Sequence, residues 1–300
     1  MPEKAIAAIL AETGPLTGAQ LLERSRMEVF SLWQTCHRTP SVRLISAAKR
    51  FLRLDRVVQG FARLSPSVRR EFLTYTCVGL DSQIPALEAK IEALREETQR
   101  ISRNKLSTAR DCVISALEAL QDKNILLEKA CFVIAGDVVY DMSHIVSRPE
   151  KSTGEMVRGS DLDIVIVVED DLSQEIVRAF DAAFHKRKHL LLVNDREEID
   201  YLIKSLSRVR QQLQFDVFSS MVACKILDEG RLLYGNPEIY QTVKRLLVEQ
   251  GIPEKLRNLE QKAIASRELA EVRLLEVRQE ESQCEYFDLF YTHAEEDEIY

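Results

Sequence analysis

The stretch that most constrains this chain is Gly154-Glu155-Met156-Val157-Arg158-Gly159-Ser160-Asp161-Leu162-Asp163, which runs directly into Ile164-Val165-Ile166-Val167-Val168. The five β-branched residues at its end read as a buried strand, of the kind found in a sheet flanked by helices. Asp161 and Asp163 stand two residues apart, so on an extended chain they point to one face. Side-by-side carboxylates repel each other strongly unless a cation sits between them. Hard oxygen ligands of this type suit Mg²⁺ or Mn²⁺, common partners of phosphate chemistry.

With its flanks, this pattern resembles the nucleotidyltransferase superfamily related to DNA polymerase beta. Gly154 to Asp163 is similar to the second half of that family's signature. Phe132-Val133-Ile134-Ala135-Gly136-Asp137 stands where the family has a strand ending in Gly-Ser. A third carboxylate on a neighbouring strand is implied, and Phe215-Asp216-Val217-Phe218 is expected to supply it. Lys225 to Gly235 resembles the end of the domain, and the resemblance spans residues 108–250. It implies an α/β (α+β) fold, a mixed sheet flanked by helices. It also implies transfer of a nucleoside monophosphate from an NTP, ATP being the commonest in small members, to an acceptor. Asp161, Asp163 and Asp216 are the implied metal ligands and catalytic residues, while Gly136, Asp137 and Ser160 form the implied nucleotide-binding turn.

Two departures stand out. Asp137 replaces the family's Ser, and the turn from Gly136 to Gly154 is lengthened. A phosphate-cradling turn works through backbone N–H groups and small hydroxyls. Either Asp137 contacts a metal, or Ser143, Ser152 and Thr153 of the insertion take over the grip. His144 lies near the expected site and reads as incidental or catalytic.

Three hundred residues suggest about two domains. Residues 1–80 hold 12 Lys/Arg against 6 Asp/Glu, whereas residues 280–300 hold 8 acidic residues and no Lys or Arg. That split suggests a nucleic-acid-facing head and an acidic tail. The six cysteines (36, 77, 112, 131, 224 and 284) are scattered without a Cys-x-x-Cys pair, which favours buried free thiols in a reducing compartment. No apolar run approaches the ~18 residues of a membrane span, so a cytoplasmic protein without membrane contact is expected.

In chain order, helices are expected over residues 3–12, from Leu16 with Thr17 as N-cap, over 27–37 and over 41–49. A basic hairpin then follows at 50–56 and 60–64, and Ser65-Pro66-Ser67 caps a helix over 68–75. Helices followed by a basic hairpin resemble a winged helix-turn-helix domain, which serves DNA or RNA contact or protein docking. A helix with apolar positions 84, 87, 91, 94 and 101 reads as a connector, followed by a second helix over 107–122. The catalytic half is expected to continue with a helix over 173–186, the basic cluster His185-Lys186-Arg187-Lys188-His189, an apolar Leu190 to Val193, and a helix over 196–211. The basic cluster reads as a solvated helix end or as a phosphate contact. Helices over 238–250 and 253–281 close the fold, with Asp288 to Tyr300 as a mobile tail.

These boundaries give a winged-helix domain (1–80), a helical connector (81–107), a nucleotidyltransferase domain (108–235) and a C-terminal helical region (236–300). Helices 84–101 and 253–281 carry apolar stripes suited to a homo-oligomer seam. The alternative to an enzyme is a DNA-associated regulator whose nucleotidyltransferase-like domain senses a nucleotide without turnover.

Overall fold

The chain divides into two units, Met1–Thr98 with Leu259–Tyr300 and Gln99–Asn258, in a computed structural model that describes residues 2–150, 153–277, 287–292, 295 and 298–300. Helices and strands are both present and the fold is mixed α+β. No helix among the described residues is long and apolar enough to cross a membrane.

The first unit opens with α1 (Pro2–Thr13), β1 (Leu16–Thr17), α2 (Gly18–Ser25) and α3 (Val29–Arg38). Thr17 starts α2 as expected: its hydroxyl accepts the Gln20 N–H at 3.2 Å, and the Gln20 side chain accepts the Thr17 N–H at 3.1 Å. This reciprocal pair satisfies two N–H groups that a helix start otherwise leaves open. Next come β2 (Val42–Ser46), the antiparallel hairpin β3 (Phe51–Leu54) and β4 (Ala62–Ser65), α4 (Val68–Arg70) with its cap Ser67, a wider turn over Glu71–Tyr75, and β5 (Thr76–Leu80). β5 lies at the centre of an antiparallel sheet ordered β1-β5-β2. The helix expected over 41–49 is a correction. Val42 to Ser46 pair along their whole length with β5, a partner that local propensity does not reveal.

α5 (Ile84–Glu118) then runs unbroken, whereas two helices were expected. No Gly or Pro follows Pro85 within it, and the Thr98 hydroxyl donates to the Arg95 carbonyl at 2.9 Å, inside the helix.

The second unit continues with α6 (Lys123–Lys129), β6 (Ala130–Ala135), a tight turn over Gly136–Tyr140, the hairpin β7 (Ser147–Pro149) and β8 (Met156–Arg158), and β9 (Leu162–Val168). It is completed by α7 (Gln174–Asp195), β10 (Ile199–Ser205), α8 (Leu206–Gln212), α9 (Phe218–Glu229), β11 (Arg231–Gly235), α10 (Pro237–Glu249) and the first turns of α11 (Ile252–Glu276). The sheet order is β10-β9-β6-β11; β10 runs parallel to β9, and the other pairs are antiparallel. One face buries Phe132, Ile134, Ile164, Ile166 and Ile199 with Val113 and Leu117 of α5 and Phe180 and Phe184 of α7. The alternate residues Cys131, Val133, Val165 and Val167 are buried too, on the face that α8, α9 and α10 cover. Burial on both sides is why β9 is a continuous apolar run.

Three expectations are corrected in this unit. The helix placed over 196–211 begins with strand β10, α7 extends through Leu190 to Val193, and the strand placed around Asp216 is a loop between α8 and α9.

From Leu259 onward the chain belongs to the first unit. Gln34 Nε2 donates to the carbonyls of Leu274 (2.6 Å) and Val277 (3.0 Å), tying α3 to the end of α11. Buried Arg267 donates to the Pro66 carbonyl and to Glu71, both at 2.8 Å. α12 (Phe287–Phe290) sets the Phe290 ring against Phe30 and Trp33. The tail was expected to be mobile; its described residues pack against the unit here. Arg70 lies buried between Glu295 (3.6 Å) and Glu298 (3.5 Å), and Arg69 donates to the Glu295 carbonyl and covers the Tyr291 and Tyr300 rings.

Of the apolar stripes on these helices, Leu87, Ile91, Ile101, Leu256, Ala263, Ala270, Leu274 and Val277 are buried within the chain, Leu94 and Leu259 are half-buried, and Ile84 is exposed. Cys36, Cys77, Cys112, Cys131 and Cys224 are buried free thiols, as expected; Cys284 lies outside the described residues.

Candidate metal centre

The parallel pairing of β9 and β10 decides the site. Asp200 stands opposite Asp163 in register, and Asp163 stands opposite Ala135, the last residue of β6. Carboxylate oxygens of Asp161, Asp163 and Asp200 lie within 4.8 Å of one another. Asp216, the residue expected to complete the group, is exposed in the loop before α9 and is not part of this cluster. Asp200 was missed because residues 196–211 were read as a helix. The signal was present in Ile199-Asp200-Tyr201-Leu202-Ile203, whose β-branched and aromatic residues favour a strand.

Three carboxylates this close destabilise each other by up to roughly 4 kcal/mol per pair at an effective dielectric of ~20, less where solvent screens them. Two protein cations relieve part of this. Lys188 Nζ lies 3.0 Å from Asp200 Oδ1, and Arg148 reaches to 3.9 Å from Asp161 while pairing with Glu198 at 2.7 Å. Lys188 belongs to the basic cluster 185–189, which sits within α7 rather than beyond a helix end. Burial pushes the Glu198 carboxyl up; the charges of Asp161 and Asp200 push it the same way, and Arg148 opposes them. Four residues beyond Asp200, on the same face of β10, buried Lys204 donates to Gln212 Oε1 at 3.1 Å. Burial lowers its ammonium to about 8.

Gly136 allows β6 to end against the carboxylates. Its φ is +78°, and a Cβ there would lie 2.7 Å from Asp163 Oδ2. Gly136→Ala is therefore expected to cost at least about 1–2 kcal/mol from the left-handed backbone alone. It should also displace Asp163, so that a urea melt and a Mn²⁺ titration both change.

The lengthened turn folds back to brace the site. Ser160 Oγ donates to Asp137 Oδ2 at 2.7 Å and accepts the His144 N–H at 3.3 Å. Asp137 is thus buried as a fastener between the turn and the loop preceding Asp161. His144 is also buried, with Nδ1 accepting the Val146 N–H at 3.2 Å. The carbonyl of His144 lies so close to Gly159 that a Cβ there would stand 1.7 Å away, and this fixes a glycine at that position. Of the hydroxyls expected to grip phosphate, Ser143 is fully buried and Thr153 donates to Glu150 at 2.8 Å; Ser152 lies outside the described residues. The Gly136 N–H points to Glu229 Oε1 at 3.5 Å, and Glu229 also accepts from Tyr140 Oη at 2.6 Å and pairs with Lys225.

Behind the loop stands Lys105 of α5, 3 % exposed. Its ammonium donates to the carbonyls of Arg158 (3.0 Å) and Ser160 (2.8 Å) and to Glu197. Lys105, Arg148 and Glu198 brace the carboxylates, and none was singled out from the sequence, because their partners lie tens of residues away.

No family model, curated protein or solved structure matches this chain.

Proposed function

We propose that the second unit is a metal-dependent nucleotidyltransferase, transferring a nucleoside monophosphate from an NTP, ATP first among the candidates, to an acceptor. What carries this reading is Asp200. The resemblance asks for a third carboxylate on a strand beside the Asp-x-Asp strand, and β10 supplies one in register with Asp163. An all-oxygen donor set fits Mg²⁺ or Mn²⁺, and Asp161, Asp163 and Asp200 are the residues that would hold it. Such a cation neutralises phosphate charge and lowers the pKa of an attacking hydroxyl. The chain's own part is positional. The Gly136 turn leaves room beside Asp163, and Asp137 with Ser160 locks the Asp161 loop.

A second reading has an observation of its own. The turn's N–H at Gly136 points to Glu229, and Asp137 takes the place of the family's hydroxyl, so the usual phosphate grip is filled by the chain's carboxylates. This favours a nucleotide sensor without turnover. The order helix–strand–helix–helix–strand in the first unit, with β5 returning after the hairpin and the helical segment 68–75 to pair between β1 and β2, supports a winged-helix module. Nucleic-acid contact through residues 1–80 draws no support from Arg63, Arg69 and Arg70, which are engaged with Asp55 and the tail.

Calorimetric titration with each NTP and Mg²⁺, with a pyrophosphate-release assay on the same sample, separates the readings. The enzyme binds one NTP in a Mg²⁺-dependent manner, releases pyrophosphate and loses both properties in Asp161→Ala. Binding without release under every acceptor tried favours the sensor, and no Mg²⁺-dependent binding contradicts both.

A further inference from the structure

Behind the Asp161 loop, within the second unit, lies a cleft of about 510 Å³ between α5, α7 and the end of β8. That volume falls within the ~300–1,000 Å³ usual for small-molecule sites. Its wall contains Arg158 and Arg187, both exposed, and neither guanidinium takes part in an ion pair among the described residues. Asp111, Asp195 and Glu197 set three carboxylates in the same wall, Glu197 being paired with Lys105, and Thr108 and Asn194 add hydroxyl and amide groups beside an apolar Leu191. Arg187 comes from the basic cluster 185–189, of which only Lys188 has a part at the carboxylates.

We propose that this cleft binds a phosphorylated, hydroxyl-bearing small molecule of nucleotide size. Two guanidiniums from different elements, β8 and α7, suit a phosphate, because the planar fork donates two parallel hydrogen bonds to such an anion. A simple anion leaves Asp111 and Asp195, and the Lys105-paired Glu197, facing it unfavourably. A ligand with hydroxyl or amino groups instead gives Asp111, Thr108 and Asn194 donors and acceptors to meet, and a flat ring lies against Leu191. The inference does not rest on the nucleotidyltransferase reading, because no carboxylate of the Asp161–Asp163–Asp200 cluster lines this cleft. The two sites share a wall, however: Arg158 opens the loop that ends at Asp161.

The test is calorimetric titration of the full chain in EDTA with AMP, GMP, CMP, UMP and ribose 5-phosphate. Chelation silences the carboxylate cluster, so binding under these conditions reports the cleft. At least one probe is expected to bind the wild type and Asp163→Ala alike. Its affinity should fall about tenfold or more for each arginine removed in Arg158→Ser and Arg187→Ser. Both side chains are exposed, so these variants keep the fold, and circular dichroism checks that they do. The proposal is overturned if none of the five probes binds, or if Asp163→Ala abolishes binding while the double arginine variant retains it.

Discussion

Lys105→Met is expected to lose about 3–5 kcal/mol of stability, because it breaks a buried ion pair by removing one partner. The ammonium is 3 % exposed and has three acceptors: two main-chain carbonyls of the loop before Asp161, and Glu197. Methionine fills a similar volume but leaves the Glu197 charge and both carbonyls without a donor. Urea denaturation measures the loss. Lys105→Met/Glu197→Gln should recover part of it, because removing both charges costs less than stranding one. A loss below about 1 kcal/mol in the single variant contradicts the role given to Lys105.

Asp163→Ala should abolish the stabilisation that a divalent cation gives the wild type. In EDTA it removes one carboxylate of three, which relieves the repulsion with Asp161 and Asp200. With Mn²⁺ at a hundredfold excess over its dissociation constant, the wild type gains about 2.7 kcal/mol and the variant gains none. Melting curves in the two buffers read both effects. The Lys188–Asp200 pair does not mask them, because both of its partners keep solvent contact and such pairs contribute at most about 1 kcal/mol. Equal Mn²⁺ stabilisation of the two proteins contradicts a cation site at Asp163.

Where the sequence was informative and where it was not follows from the range of the interactions. Thr17 and Ser67 cap helices through hydrogen bonds spanning three residues, so their roles are legible locally. The buried strand over Ile164 to Val168 and the hairpin of β3 and β4 are equally legible, because each carries its own periodicity. β2 and β10 are not. Each is a strand because another strand lies alongside, and although Ile199, Tyr201 and Ile203 favour a strand locally, it is the partner that fixes the conformation. The site inherited that error directly. Asp161 and Asp163 were found from two-residue spacing, whereas the third carboxylate depends on which strand pairs with β9. The placement of the tail was likewise illegible. Its acidic composition reads as solvated, yet Glu295 and Glu298 are buried on Arg70, more than 200 residues away in the chain.

The central claim is that Asp161, Asp163 and Asp200, and not Asp216, form one cation site. Electron paramagnetic resonance titration of Mn²⁺ against the wild type, Asp200→Ala and Asp216→Ala tests it most directly. The account predicts tight Mn²⁺ binding by the wild type and by Asp216→Ala, and its loss in Asp200→Ala. Loss in Asp216→Ala with binding retained in Asp200→Ala, or equal binding by all three proteins, contradicts it.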